Sequence, residues 1–256
     1  MPNLVITGPC RSGTALFHKL INDCIPGAIS TNEIVPNLAQ LKPYFRNVRA
    51  AVNANKPIAN RYARDGSLSD NSWRKGADIQ ARPVDKPLDG AWTMATKAMV
   101  GFMDHIQEVI DLGIPVVAII RDPIYTIGSW SDPNLMEQTV GKISIDDLHP
   151  WWKKHPFPFT RPDQIGRRAE YWNFLASKIR DAEANKQAFR AIRYEQIIHK
   201  TKPTLREFCT WRKLGDPIGI PVLKSANDDN RYPYSDMHAI REAVDELCPA
   251  RKHFGY

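Results

Sequence analysis

Leu4-Val5-Ile6-Thr7-Gly8-Pro9-Cys10-Arg11-Ser12-Gly13-Thr14-Ala15-Leu16-Phe17-His18-Lys19-Leu20-Ile21 reads as a strand, an anion-binding loop and a helix. Leu4 to Ile6 is a short apolar run suited to a buried parallel strand. Gly8 and Gly13 give the following turn a permissive backbone. Leu16, Leu20 and Cys24, interleaved with Phe17 and Ile21, then recur at three- and four-residue steps, the pattern of an amphipathic helix. A helix that starts where loop amides converge can hold phosphate or sulfate, because its first N–H groups are unpaired and its dipole favours negative charge.

The spacing Gly8-x-x-x-x-Gly13 matches that of the nucleotide-triphosphate P-loop, but Thr14 and Ala15 stand where that loop has its Lys and its Mg²⁺-holding hydroxyl. A kinase or ATPase lacking both has lost its γ-phosphate clamp and its metal ligand, while Arg11 supplies a cation from a different place. An ordinary glycine-containing strand-to-helix turn stays open on this stretch alone.

Outward from this stretch, the chain of 256 residues is long enough to bury a full core as one α/β domain, and no Gly/Ser or charge-run linker divides it. Hydrophobic content of 43% and charged content of 25% lie in the globular range. No apolar run has the length of a membrane span, and a strand starting within three residues of Met1 leaves no room for a signal peptide, so a cytoplasmic location is expected. Cys10, Cys24, Cys209 and Cys248 form no C-x-x-C pair and have no clustered His, which argues against a zinc site or a disulfide framework. The net charge of +7 favours anionic partners: a phosphorylated cofactor, an acidic substrate, a membrane surface or nucleic acid.

Ala28 to Thr31 is a weak strand candidate that delivers Glu33 to a loop end, 22 residues beyond Arg11. Residues 36–95 carry ten Lys/Arg against five Asp and read as an irregular basic insertion, with one helix over Leu38 to Val52 and little core of its own from Lys56 to Asp89. A helix is expected over Ala98 to Ile110, stopped by Gly113, with Lys97 at its start and His105 facing solvent. Val116 to Ile120 is the strongest strand, and its carboxyl end, Arg121-Asp122-Pro123, would face the ligand crevice of a parallel sheet. Ser129 lies eight residues after Arg121, within reach of the same anion; an ion pair of Arg121 with Asp122 or another nearby acid is the plainer alternative. An aromatic and basic loop follows to Arg168, with Trp151, Trp152, Phe157 and Phe159 among five Lys/Arg from His149 on. It suits surface packing or a grip on sugar, lipid or base.

A long helix from Ile165 to Ala182, a strand over Phe189 to Tyr194, helices over Thr204 to Leu214 and Ser235 to Leu247, and a loop over Asp216 to Tyr234 complete the chain. The alternation predicts an α/β fold: a single doubly wound three-layer domain with a central parallel sheet and a P-loop-like phosphate-binding loop. Residues 36–95 and 134–168 are its expected substrate-facing segments.

Taken together, GPCRSGTALFHKLI (residues 8–21), Glu33, VVAIIRDPIYTIGS (116–129) and RYEQII (193–198) resemble, in order and spacing, the sulfotransferases that use 3′-phosphoadenosine-5′-phosphosulfate (PAPS). The likeness is to the R-S-G-T branch of bacterial, Golgi carbohydrate and protein-tyrosine enzymes. The resemblance implies that Arg11, Ser12, Gly13, Thr14 and Ala15 bind the 5′-phosphosulfate, that Arg121 and Ser129 bind the 3′-phosphate, and that Tyr194 lies against the adenine. It further implies Glu33 as general base, with His149 and His155 in reserve, and Lys97 and Arg11 on the transferring sulfuryl group, with no metal required. The implied product is adenosine 3′,5′-bisphosphate and the acceptor a hydroxyl or amine, a carbohydrate or glycolipid leading; nucleic acid is not expected, and peripheral membrane contact stays open. Three features depart from the pattern. Ala15 replaces a second Thr, no histidine follows Lys97, and Arg212-Lys213-Leu214-Gly215-Asp216 lacks the complete C-terminal signature of the phenol-type enzymes. A P-loop phosphoryl-transfer enzyme and a non-catalytic binder of anionic ligands are the competing readings.

Overall fold

A computed structural model describes residues 2–35, 37–70, 78–88, 91–98, 100–130, 158–233 and 235–256. Trp151, Trp152, Phe157, His149 and His155 lie outside the described residues.

The first strand, β1 (Asn3–Thr7), runs into the loop and then into α1 (Thr14–Cys24), and β2 (Ala28–Asn32) follows. The helix α2 (Leu41–Asn53) covers most of the expected span, whose first residues, Leu38–Gln40, form a 3-10 turn. Beyond it, the stretch read as irregular holds a two-stranded antiparallel hairpin, β3 (Ile58–Tyr62) and β4 (Asp78–Arg82), and a sheet strand, β5 (Thr93–Lys97). This corrects the reading of residues 36–95. It also corrects that of Lys97, which ends a strand instead of starting a helix. The physical reason is local: β5 alternates threonine with Met94 and Ala95, so it shows no apolar run, although all five of its residues are buried. The Thr96 hydroxyl is tolerated inside because it pairs. Tyr44 donates to Thr31 (2.6 Å), and Thr31 donates to Thr96 (3.1 Å).

The expected single helix after Lys97 is a 3-10 turn over Val100–His105 continuing into α3 (Ile106–Asp111), and His105 is half-buried against Glu108. The strand β6 (Val116–Ile120) is wholly buried. Asp122 caps α4 (Pro123–Ser129) by accepting from the Ile124 N–H (2.8 Å), with Pro123 in the first turn. After α5 (Gln164–Ala182) come β7 (Phe189–Arg193), α6 (Tyr194–His199), α7 (Thr201–Arg212) and α8 (Met237–Leu247). Tyr194 thus opens a helix rather than ending the strand.

The sheet is fully parallel, in the order β2-β5-β1-β6-β7. One face, with Leu4, Ile6, Val117 and Ile119, packs on Phe17 and Leu20 of α1 and Phe208 of α7. The other, with Val5, Val116, Ala118 and Ile120, packs on Phe45, Val109, Trp172 and Val244 from α2, α3, α5 and α8. Both faces being covered explains why β6 reads as an unbroken apolar run. The three-layer, doubly wound α/β arrangement is therefore present. Because the chain leaves β1 towards β2 and later crosses to β6 on the other side, the carboxyl ends of β1, β5 and β6 frame a topological switch point, where such sheets bind ligands.

Candidate active site

A cavity of about 380 Å³ opens at that switch point. The loop between β1 and α1 forms its floor. Gly8 must lack a side chain, since a Cβ there would sit 2.2 Å from the Ile119 carbonyl oxygen of β6. Gly13, at φ 94°, precedes α1 without a side-chain cap, which leaves the first helical amides for a ligand. Arg11 itself adopts a left-handed backbone (φ 67°). The Trp130 indole donates to the Cys10 carbonyl (3.0 Å) and ties the loop to the end of α4.

Glu33 and Lys97 meet at adjacent strand ends. The Glu33 N–H donates to the Lys97 carbonyl (2.8 Å), which places Glu33, with φ 54°, just past the end of the ladder between β2 and β5. There the Lys97 ammonium pairs with Glu33 Oε1. Arg61, from β3, approaches Oε2 with its Nε at 3.9 Å. Cys10 borders this group, and burial pushes its thiol up to about 11, against the pull of Lys97. The loop therefore presents a neutral thiol at ordinary pH.

The cavity wall opposite the loop comes from far along the chain. Arg121 at the end of β6 donates from Nη1 to the Arg11 carbonyl (3.2 Å), from Nη2 to the Ala226 carbonyl and the Tyr232 hydroxyl (both 2.7 Å), and from Nε to Asn227 (2.7 Å). It pairs with the distal segment and not with Asp122, which is occupied as a helix cap. Glu195 accepts from Asn227 (2.7 Å) and from the Tyr256 hydroxyl (2.6 Å). The Tyr194 hydroxyl accepts the Ala226 N–H (3.0 Å), Arg121 lies over its ring, and its ring edge packs on Gly13. Burial raises the Tyr194 phenol above its ordinary value.

Of the residues the sequence singled out, Arg11, Gly13, Thr14, Ala15, Glu33, Lys97, Arg121 and Tyr194 line this one cavity. Ser12 is buried beneath the loop. Ser129 is not brought to the cavity; it is buried and its hydroxyl donates to the Thr126 carbonyl (2.7 Å) one turn earlier. Sequence reasoning missed Asp70, Lys224 and Arg231, which also line the cavity. No local signal marks them, because they sit in irregular segments that only the fold brings to the sheet. The lining holds five cationic side chains against two carboxylates, a balance that suits a ligand of several negative charges. Among the described residues, no three His, Cys, Asp or Glu side chains converge as a metal site, and no helix is long and apolar enough to cross a membrane.

No protein-family model matches the chain, and no curated protein matches it. Solved structures do. A sulfotransferase from Alicyclobacillus acidocaldarius aligns at 13% identity over 96% of this chain and 94% of its own, with a TM-score of 0.45. The sulfotransferase domain of the Synechococcus PCC 7002 olefin synthase aligns at 10% identity over 100% of this chain and 94% of its own, with a TM-score of 0.49. A mouse sulfotransferase complexed with PAP aligns at 13% identity over 95% of this chain but only 64% of its own length, with a TM-score of 0.40. What the chain is similar to, in these comparisons, is three sulfotransferase structures, each at 13% identity or less.

Proposed function

We propose that this chain is a sulfotransferase that moves a sulfuryl group from PAPS to a hydroxyl or amine acceptor, with a carbohydrate or glycolipid as the acceptor class. The observation that carries the reading is the single cavity in which a phosphate loop without the P-loop lysine faces a Glu33–Lys97 pair on neighbouring strand ends. The residues present fit a doubly phosphorylated donor. Uncapped amides at the start of α1, the Arg11 guanidinium and the Lys97 ammonium would hold the phosphosulfate end, and Arg121, already fixed against the loop, would add charge towards the 3′-phosphate. The adenosine would take the part framed by Tyr194 and the Val222–Ala226 segment.

When bound, the donor supplies the sulfuryl group and carries its own leaving group. The work left to the chain is orientation, charge and one proton. Lys97 holds Glu33 Oε1, so Oε2 remains to accept the proton from the acceptor hydroxyl. Arg11 and Lys97 stabilise negative charge that grows on the oxygens around the transferring group. Residues 36–95, whose hairpin brings Arg61 beside Glu33, would receive the acceptor.

Isothermal titration with adenosine 3′,5′-bisphosphate and transfer of radiolabelled sulfate from PAPS to a panel of sugars test the reading together. Heat of nucleotide binding without added Mg²⁺, and labelled product, are expected; no heat at millimolar nucleotide sinks it. Glu33→Gln should lower kcat by about 10²- to 10⁴-fold with nucleotide binding intact. An unchanged rate in that variant removes Glu33 as the base.

A further inference from the structure

We infer that Arg61 is the anchor of an anionic group on the acceptor, so that the substrate carries a carboxylate, phosphate or sulfate near the hydroxyl it offers. The inference rests on the sulfotransferase reading above and deepens it by naming the charge class of the acceptor.

The side chain of Arg61 is only 24% exposed, its Nε is buried, and among the described residues its guanidinium has no hydrogen-bond acceptor. Two other arginines of this region, Arg82 and Arg49, differ. Arg82 on the partner strand donates to Gln80 (Nη2 at 2.6 Å) and to the Gly66 carbonyl (2.9 Å), and stacks on Tyr62. Arg49 donates to Asn3 and to the Pro2 and Trp92 carbonyls. Arg61 has only the carboxylate of Glu33, whose Oε2 lies 3.9 Å from Nε, outside hydrogen-bond range. Were the two a structural pair, an Arg–carboxylate fork would close to about 2.7–2.9 Å. Glu33 instead gives Oε1 to Lys97.

The position of Arg61 is fixed. Asn60 is 3% exposed and works as a piece of strand at the open edge of β2: its Nδ2 donates to the Ser30 carbonyl (2.8 Å), and its Oδ1 accepts the Asn32 N–H (3.0 Å) and the Arg61 N–H (2.9 Å). A guanidinium held this way next to the base has lost much of its water without gaining a hydrogen-bond acceptor among the described residues. A planar fork of donors matches two oxygens of one anion. The oxygens would lie beside Glu33 and therefore beside the accepting hydroxyl.

The full chain and its Arg61→Gln and Arg61→Lys variants are compared at constant ionic strength. Calorimetry with adenosine 3′,5′-bisphosphate should give the same heat and affinity in all three. Transfer is then measured to methyl β-D-glucoside, methyl β-D-glucuronide and glucose 6-phosphate. The expected wild-type result is at least about tenfold higher kcat/KM for one anionic sugar over the neutral one, and which anion wins separates carboxylate from phosphate. Arg61→Gln should cut kcat/KM for the preferred anionic sugar by about 10- to 100-fold, the range for a charge-assisted hydrogen bond, and so erase most of that preference. A preference absent in the wild type, or unchanged by Arg61→Gln, overturns the inference. In parallel, the Nε–Hε NMR signal of Arg61, assigned by its loss in Arg61→Lys, should move on titration with sodium glucuronate or phosphate; a signal that stays in place also overturns it. Absent nucleotide heat with a moving Arg61 signal would remove the donor reading and leave the anion anchor standing.

Discussion

Replacing Gly13 by alanine tests how the phosphate loop is built. The residue sits at φ 94°, where a side chain is strained by about 1–2 kcal/mol. Its new Cβ would also lie 2.6 Å from Tyr194 Cδ2 and 3.2 Å from Cε2, where carbon contacts normally fall at about 3.5–4.0 Å. The ring cannot swing away cheaply. Tyr194 is 6% exposed, its hydroxyl holds the Ala226 N–H, and Arg121 covers its ring. Overpacking of this kind adds about 1–3 kcal/mol, so Gly13→Ala should destabilise by about 2–5 kcal/mol in all. Urea denaturation measures it, and the double variant with Tyr194→Leu separates the parts. Removing the ring relieves the overlap but not the backbone strain, so the two substitutions should couple favourably by about 1–3 kcal/mol. A Gly13→Ala protein within about 0.5 kcal/mol of wild type, or strictly additive effects, refutes the reasoning. Gly8→Ala is the contrast: its Cβ would strike the Ile119 backbone oxygen, which no second-site substitution can trim.

His18 is fully buried, donates or accepts at Nδ1 with Ser30 Oγ (2.7 Å), and is held down to about 3 by burial, with Lys97 and Lys19 adding. Its folded value is lower than its unfolded value of about 6.5, so this share of stability is complete above about pH 6.5 and is lost as pH falls towards 3. At 1.36 kcal/mol per unit, His18 should account for about 2–3 kcal/mol of the loss between pH 7 and pH 4.5. His18→Asn should lose correspondingly less over the same interval in urea titrations, and an equal loss contradicts the assignment. Asn60→Ala should destabilise by about 2–4 kcal/mol through three abandoned backbone partners. Hydrogen exchange reads this directly: the Asn32 and Arg61 amides should lose more than about tenfold protection, and unaltered protection would show that the hairpin is held otherwise.

Much of the fold was legible in the chain because its strongest signals are contiguous. β1 and β6 carry apolar runs since both sheet faces are covered there, and α1, α2, α5 and α8 carry helical spacing since each packs one face. β5 was not legible, because threonines break its apolar run at buried positions; Thr96 pairs across to Thr31 of β2, which also accepts from Tyr44. The hairpin of β3 and β4 was equally hidden, since β4 is mostly exposed and a polar residue, Asn60, docks β3 to the edge of the sheet. Ser129 marks the limit of spacing arguments: the chain puts it eight residues from Arg121, whereas the direction of its hydroxyl, here towards the Thr126 carbonyl, is set by α4.

By itself the sequence determined a glycine loop between strand and helix, the absence of a lysine after Gly13, and Glu33 and Arg121 at strand ends, because each depends on neighbours a few residues away. Only the tertiary structure decided that Lys97 grips Glu33, that Lys224 and Arg231 close the cavity from beyond residue 220, and that Arg61 stands beside Glu33 with no hydrogen-bond acceptor among the described residues. Those relations depend on the strand order, which sets β5 between β1 and β2 and brings together side chains that no local periodicity connects.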